Sequence, residues 1–111
     1  MNSIEHFING KTVKGSSKRT AKVFNPATGE VSSNVNLANT NDLNKAVDAA
    51  NKAFTSWSQK TPLFRARVLF KFKELIEKNY DELTKIIVSE HGKVYEDARG
   101  SLTRGLEVVE F

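Results

Sequence analysis

Arg104, followed directly by Gly105, is the position of this sequence most suited to binding a small ligand. A guanidinium can hold a carboxylate through two parallel hydrogen bonds. Glycine inside a helix costs about 1 kcal/mol relative to alanine, so Gly100 and Gly105 predict that something packs close to the backbone there. The alternative from spacing alone is a surface ion pair of Arg104 with Glu107 or Asp97, which we initially favour.

Other chemistry-bearing residue types are sparse. The sequence has no cysteine, which excludes a cysteine nucleophile, a disulfide and a thiolate metal site within these 111 residues. His6 and His91 lack the neighbours at metal-ligand spacing, and His91 is predicted to end a helix, where the dipole favours an imidazole. Residues 100–105 do not match a phosphate-binding glycine loop. No metal site is therefore expected.

The net charge of +4 comes mostly from a basic segment near the start of the sequence. An acid-free basic stretch can attract a phosphate backbone, but lysines on edge strands also discourage aggregation. Because aromatic residues are not interleaved with the basic ones, we favour solvated edge strands and expect no nucleic-acid partner. The basic residues are Lys11, Lys14, Lys18, Arg19 and Lys22.

Residues 1–38 read as strands and turns. Asn9-Gly10 favours a type I′ hairpin between residues 7–8 and 11–13, and residues 20–24 alternate as a half-buried strand. Pro26 ends that strand, and a further strand is predicted at residues 31–37. No apolar run reaches the roughly 18 residues needed to cross a bilayer, and no secretory signal is recognised, so we expect a cytoplasmic protein without a membrane segment.

In residues 40–111 the apolar residues recur with helical periodicity, which predicts about four helices. The first has Thr40 or Asn41 as its cap, the second begins at Thr61-Pro62, the third follows Asn79 and stops at Gly92, and the fourth runs from about Tyr95. The second helix is expected to pack Phe64, Leu69, Phe72, Leu75 and Ile76 inward, and the first to present a stripe of Leu43, Ala46, Val47, Ala50, Phe54 and Trp57.

Several sequence blocks resemble the aldehyde dehydrogenase superfamily. Residues 7–11, 23–31 (with Asn-Pro-Ala-Thr-Gly-Glu at 25–30), 46–50 and Trp57 look like its consecutive opening blocks, in order and spacing. Residues 65–72, the Glu-His-Gly-Lys segment at 90–93 and, above all, Arg-Gly-Leu-Glu-Val-Val-Glu-Phe at 104–111 resemble the CoA-acylating methylmalonate-semialdehyde dehydrogenase branch. The resemblance covers essentially the whole sequence.

This resemblance implies an α/β parent fold, with residues 1–111 as an N-terminal segment of its NAD-binding domain, without an internal boundary. It implies a homo-oligomeric enzyme that oxidises a semialdehyde with NAD through a cysteine thioester and transfers the acyl group to coenzyme A. The catalytic residues and the cofactor glycine turn would lie beyond Phe111, so the segment alone is expected to be inactive. Arg104 matches the arginine that meets the substrate carboxylate. Another aldehyde dehydrogenase branch, or a small basic module that binds anions or nucleic acid, is the alternative.

Overall fold

The computed structural model describes residues 2–111, which form five strands and four helices. These residues divide into two compact units. The first unit comprises residues 2–25 and 29–59 and contains the five strands and the first helix. The second comprises residues 26–28 and 60–111 and contains the other three helices. The predicted order of strands followed by helices is confirmed.

In the first unit, strands β2 (His6–Ile8) and β3 (Lys11–Val13) form the predicted hairpin. Asn9 has a φ of 54° and Gly10 a φ of 72°, the pair of positive values that a type I′ turn requires. Asparagine and glycine tolerate these values better than other residues because they suffer least from the Cβ clash. The dipeptide therefore fixes the position of the turn.

The remaining strands form a mixed three-stranded sheet in the order β1-β5-β4. Strand β4 (Thr20–Phe24) pairs antiparallel with β5 (Val31–Asn36), as the sequence alternation predicts. Strand β1 (Asn2–Ile4), which the sequence analysis did not predict as a strand, pairs parallel with the other edge of β5. Because three residues give too short an alternation to read, only the pairing with β5 defines this strand.

Helix α1 (Thr40–Trp57) begins one residue earlier than predicted. The N-cap is Asn39, not Thr40 or Asn41, and its side chain accepts a hydrogen bond from the backbone N–H of Asp42 at 3.0 Å. The Asp42 carboxylate accepts in return from the Asn39 backbone N–H at 3.2 Å, which completes a capping box. Asn39 and Asp42 here take the places of the Ser/Thr and Glu/Gln that usually form this motif.

The second unit contains helices α2 (Pro62–Lys78), α3 (Tyr80–His91) and α4 (Tyr95–Glu110). Thr61 caps α2, since its hydroxyl accepts from the Phe64 backbone N–H at 3.2 Å, and Pro62 occupies the first turn as predicted. Gly92 ends α3 with a φ of 75°. The boundaries of these helices agree with the sequence prediction.

Contacts between α3 and α4 centre on two small side chains and one phenol. Thr84 and Ala98 are both fully buried. The Tyr80 hydroxyl donates to the Arg99 carbonyl oxygen at 2.8 Å and lies 2.7 Å from the Thr103 hydroxyl. Small residues allow close approach of the two helices, and the phenol then ties α3 to the middle of α4.

The apolar face predicted to pack inward on α2 is instead about half exposed. Phe64, Leu69, Phe72 and Leu75 expose 46%, 48%, 50% and 47% of their surface, whereas Ile76 is partly buried. The predicted inward packing of this stripe was therefore wrong for the described residues, which leave about half of the surface of these four side chains exposed. On α1, likewise, Leu43, Val47 and Phe54 are exposed by more than half. Helical periodicity identifies an apolar face but not its partner.

Candidate functional site

Arg104 lies on α4, just beyond the middle of the helix, with its side chain exposed. The beginning of α4 is anchored to α3, since the Tyr95 hydroxyl donates to the Asp81 carboxylate at 3.0 Å. Burial raises the pKa of Tyr95 above its ordinary value, and the Asp81 carboxylate raises it further, so the phenol stays protonated as a donor. The helix that carries Arg104 is thus held at its start and, through Tyr80, along its length.

The guanidinium of Arg104 donates a hydrogen bond to the Ser101 hydroxyl, with Nη2 3.2 Å from Oγ. Neither Glu107 nor Asp97 pairs with it, and within residues 2–111 no carboxylate lies within ion-pair distance. The surface ion pair weighed from spacing is therefore not formed. Arg104 presents a charged, oriented guanidinium whose remaining N–H groups are available to a ligand.

Lys93 also reaches Ser101 and was missed by the sequence analysis. It lies in the short connection between α3 and α4, and its Nζ donates to Ser101 Oγ at 2.8 Å. The Ser101 hydroxyl itself donates to the Asp97 carbonyl oxygen at 3.2 Å. The spacing of Ser101 and Arg104 on one helical face was visible in the sequence. The approach of Lys93 was not, because it depends on the path of the chain after Gly92.

The two glycines near Arg104 differ in their surroundings. A Cβ on Gly100 would lie 3.5 Å from Nη1 of Arg104, an ordinary contact distance, so Gly100 leaves space beside the guanidinium. A Cβ on Gly105 would meet nothing within 4 Å among the described atoms. The close approach expected at Gly105 is therefore not seen in residues 2–111, whereas Gly100 borders the arginine.

The histidines do not form a metal site with other described residues, since residues 2–111 contain no group of three or more potential ligands. His91 is the last residue of α3, the helix end at which the sequence placed it. The sequence made no prediction about the surroundings of His6. Its Nε2 is buried and has no hydrogen-bond partner among the described residues, and its ring lies against Gly15.

Asp42 connects the first unit's loop to the start of α1. Its Oδ1 accepts from the Ser16 backbone N–H at 2.7 Å and from the Ser16 hydroxyl at 2.8 Å. Burial by itself raises the pKa of this carboxyl, but the hydrogen bonds from Ser16, Asn39 and Ser17 outweigh it and hold the pKa below its usual value. Asp42 is therefore a structural anion, already satisfied by its neighbours.

The basic segment lies along the strands of the first unit. Lys11 is on the hairpin strand β3 and Lys22 is on β4, an edge of the three-stranded sheet, and both are exposed. The Arg19 guanidinium donates to the Ala38 carbonyl oxygen at 2.9 Å, so it braces the chain before α1. These positions agree with the interpretation of lysines on exposed strand edges.

The sequence profile of the aldehyde dehydrogenase family matches residues 12–111. This chain belongs to the aldehyde dehydrogenase family. It is 48% identical over its whole length to a malonate-semialdehyde dehydrogenase of Pseudomonas aeruginosa, and 45% identical over 108 residues to malonate-semialdehyde dehydrogenase 2 of Bacillus cereus. These matches cover 100% and 97% of this chain. The chain spans 22% of the length of each relative.

Solved structures agree with this assignment of the fold. A methylmalonate-semialdehyde dehydrogenase from Oceanimonas doudoroffii matches 99% of this chain with a TM-score of 0.95 at 48% identity, over 22% of its own length. A Sinorhizobium meliloti protein assigned as a methylmalonate-semialdehyde dehydrogenase, solved with NAD, matches 100% with a TM-score of 0.96 at 48% identity, over 23% of its length. The aldehyde dehydrogenase fold predicted from the sequence is confirmed.

Gly100 and Gly105 do not form a phosphate-binding turn. Gly100 and Gly105 both lie inside α4, where the backbone N–H groups are committed to helical hydrogen bonds and cannot surround a phosphate. None of the helices between residues 2 and 111 combines the length and hydropathy that a membrane span requires.

Proposed function

We propose that this chain is the N-terminal part of an NAD-dependent, CoA-acylating malonate- or methylmalonate-semialdehyde dehydrogenase, and that Arg104 binds the carboxylate of its substrate. Residues 1–111 would belong to the NAD-binding domain of that enzyme. The proposal is supported by the semialdehyde dehydrogenases among the chain's relatives and by NAD in a similar structure. Coenzyme A as acyl acceptor and a homo-oligomeric assembly are included on the strength of the sequence resemblance.

The observation that carries the proposal is that the Arg104 guanidinium is exposed and has no carboxylate partner among the described residues. The guanidinium is also oriented by Ser101. A semialdehyde of a dicarboxylic acid bears a carboxylate at the end remote from the aldehyde. A planar guanidinium can accept that carboxylate through two hydrogen bonds and thereby fix the distance and direction of the aldehyde. Arg104 would bind and orient, while bond making would fall to residues outside this chain.

The test is the substitution of Arg104 in the full-length enzyme that carries this segment. Arg104→Leu should raise KM for malonate semialdehyde much more than KM for propanal, which has no carboxylate. A charge-assisted pair contributes about 1.5–3 kcal/mol, which corresponds to a loss in kcat/KM of about tenfold to a few hundredfold. Arg104→Lys should recover only part of this loss, because a point charge does not reproduce the planar fork.

A matched control is Arg67→Leu, which removes an exposed arginine on α2 of the same unit. It should leave the ratio of the two substrates unchanged. Equal losses on malonate semialdehyde and propanal in Arg104→Leu would contradict the proposal and give Arg104 a structural role. A preference of the unmodified enzyme for propanal would favour another aldehyde dehydrogenase branch.

A further inference from the structure

Two cationic side chains converge on one neutral hydroxyl near the middle of α4. Lys93 Nζ lies 2.8 Å and Arg104 Nη2 lies 3.2 Å from the same oxygen, Ser101 Oγ. The two nitrogens are therefore within about 6 Å of each other, a separation at which like charges near a protein surface repel one another. The serine oxygen accepts from both but carries no charge that would offset this repulsion.

Three cations of this unit are paired with carboxylates, whereas Lys93 and Arg104 share a neutral hydroxyl. Lys71, Lys73 and Arg99 each have a carboxylate within 4 Å, and Lys73 has two, at 2.7 Å from Glu110 and 3.3 Å from Glu77. Lys93 has no such partner within residues 2–111, and neither does Arg104. An anion placed between these two cations would remove their repulsion and gain attraction from both.

The donor capacity of the cluster is not exhausted by Ser101. A lysine ammonium has three N–H donors and a guanidinium has five, and each uses one of them on this hydroxyl. The Ser101 proton is directed to the Asp97 carbonyl oxygen, so the hydroxyl faces both cations as an acceptor. The Lys93 stem is partly buried, which restricts where its ammonium can go. The cluster is thus pre-arranged to donate to a further acceptor.

We propose that Lys93 is a second ligand of the carboxylate that Arg104 binds, with Ser101 holding both cations in position. This inference rests on the proposed function and adds to it a residue that selects aldehydes bearing a carboxylate. Arg104 supplies the planar fork, and Lys93 supplies a second positive charge at the side of the anion. An alkyl aldehyde has no group to engage either residue, so both cations favour the oxo acid.

The experiment measures malonate binding to the full-length enzyme by isothermal titration calorimetry, together with steady-state kinetics. Lys93→Met keeps the length of the side chain and removes its charge. We expect it to weaken malonate binding, and to raise KM for malonate semialdehyde, by about tenfold, the lower end of the range for a hydrogen bond to a charged group. The change with propanal should be much smaller. Lys85→Met, which removes an exposed lysine of α3, is the matched control and should change neither.

The Ser101→Ala substitution shows whether Lys93 contacts the anion itself or only positions Arg104 through Ser101. If Lys93 contacts the anion itself, Lys93→Met should still weaken malonate binding at least threefold when introduced into Ser101→Ala. If it acts only through Ser101, the second substitution should add no loss, and the inference would be overturned. Unchanged malonate affinity in Lys93→Met, beside a large loss in Arg104→Leu, would also overturn it while leaving the proposed function intact. Unchanged affinity in Arg104→Leu would instead refute the proposed function and, with it, this extension.

Discussion

Gly15 is the position at which a single methyl group should most clearly disturb the first unit. Its φ of +79° lies in the left-handed region, where a residue with a Cβ is strained by about 1–2 kcal/mol. A Cβ at this position would also lie 2.9 Å from both Cδ2 and Nε2 of His6 and 3.2 Å from an Asp42 carboxylate oxygen. Nε2 of His6 is itself buried, so the added methyl group would press on a packed part of the ring.

We therefore expect Gly15→Ala to lower the free energy of unfolding by two separable contributions. Backbone strain should account for about 1–2 kcal/mol and the overpacking against His6 for about 1–2 kcal/mol more. Gly29→Ala is the matched control, because Gly29 has a similar φ of +73° but a Cβ there would meet nothing within 4 Å. It should show the strain contribution alone.

The assay is urea denaturation at low micromolar concentration, followed by far-ultraviolet circular dichroism and analysed by linear extrapolation. The double variant His6→Ala with Gly15→Ala should recover the overpacking part, so that the two substitutions couple by about 1–2 kcal/mol in a double-mutant cycle. The reasoning is refuted if Gly15→Ala is no more destabilising than Gly29→Ala, or if removal of the His6 ring recovers nothing.

Two further predictions concern the pH dependence of stability and the exposed apolar surface of α2. The folded pKa of Asp42 is lowered, so its stabilising contribution should be complete above the ordinary carboxyl range near 3.8 and lost as pH falls through the folded value. Asp42→Asn should make the free energy of unfolding less dependent on pH in this acidic range. Asp48→Asn, at an exposed position of α1, should not change this dependence. The half-exposed apolar residues of α2 should make the 111-residue chain bind an apolar dye and self-associate at tens of micromolar. If the chain sediments as a monomer at that concentration and binds no dye, the second expectation is contradicted.

The sequence by itself determined the local elements, because each is specified by residues close together in the chain. Asn9-Gly10 placed the hairpin turn, Thr61-Pro62 placed the start of α2, and Gly92 placed the end of α3. These residues act through their own φ preferences or through hydrogen bonds within one turn. The residue type and its neighbouring glycine singled out Arg104, and the family resemblance then favoured a carboxylate ligand over the surface ion pair that spacing alone favoured.

Only the tertiary structure decided the contacts that join distant residues. Strand β1 exists because it pairs with β5, about 30 residues away, and the cap of α1 is reinforced by Ser16 from a loop before β4. Lys93 meets Ser101 because Gly92 turns the chain with a left-handed backbone and α4 then exposes one particular face. Such contacts depend on the direction of whole elements, and periodicity within a single element carries no information about that direction.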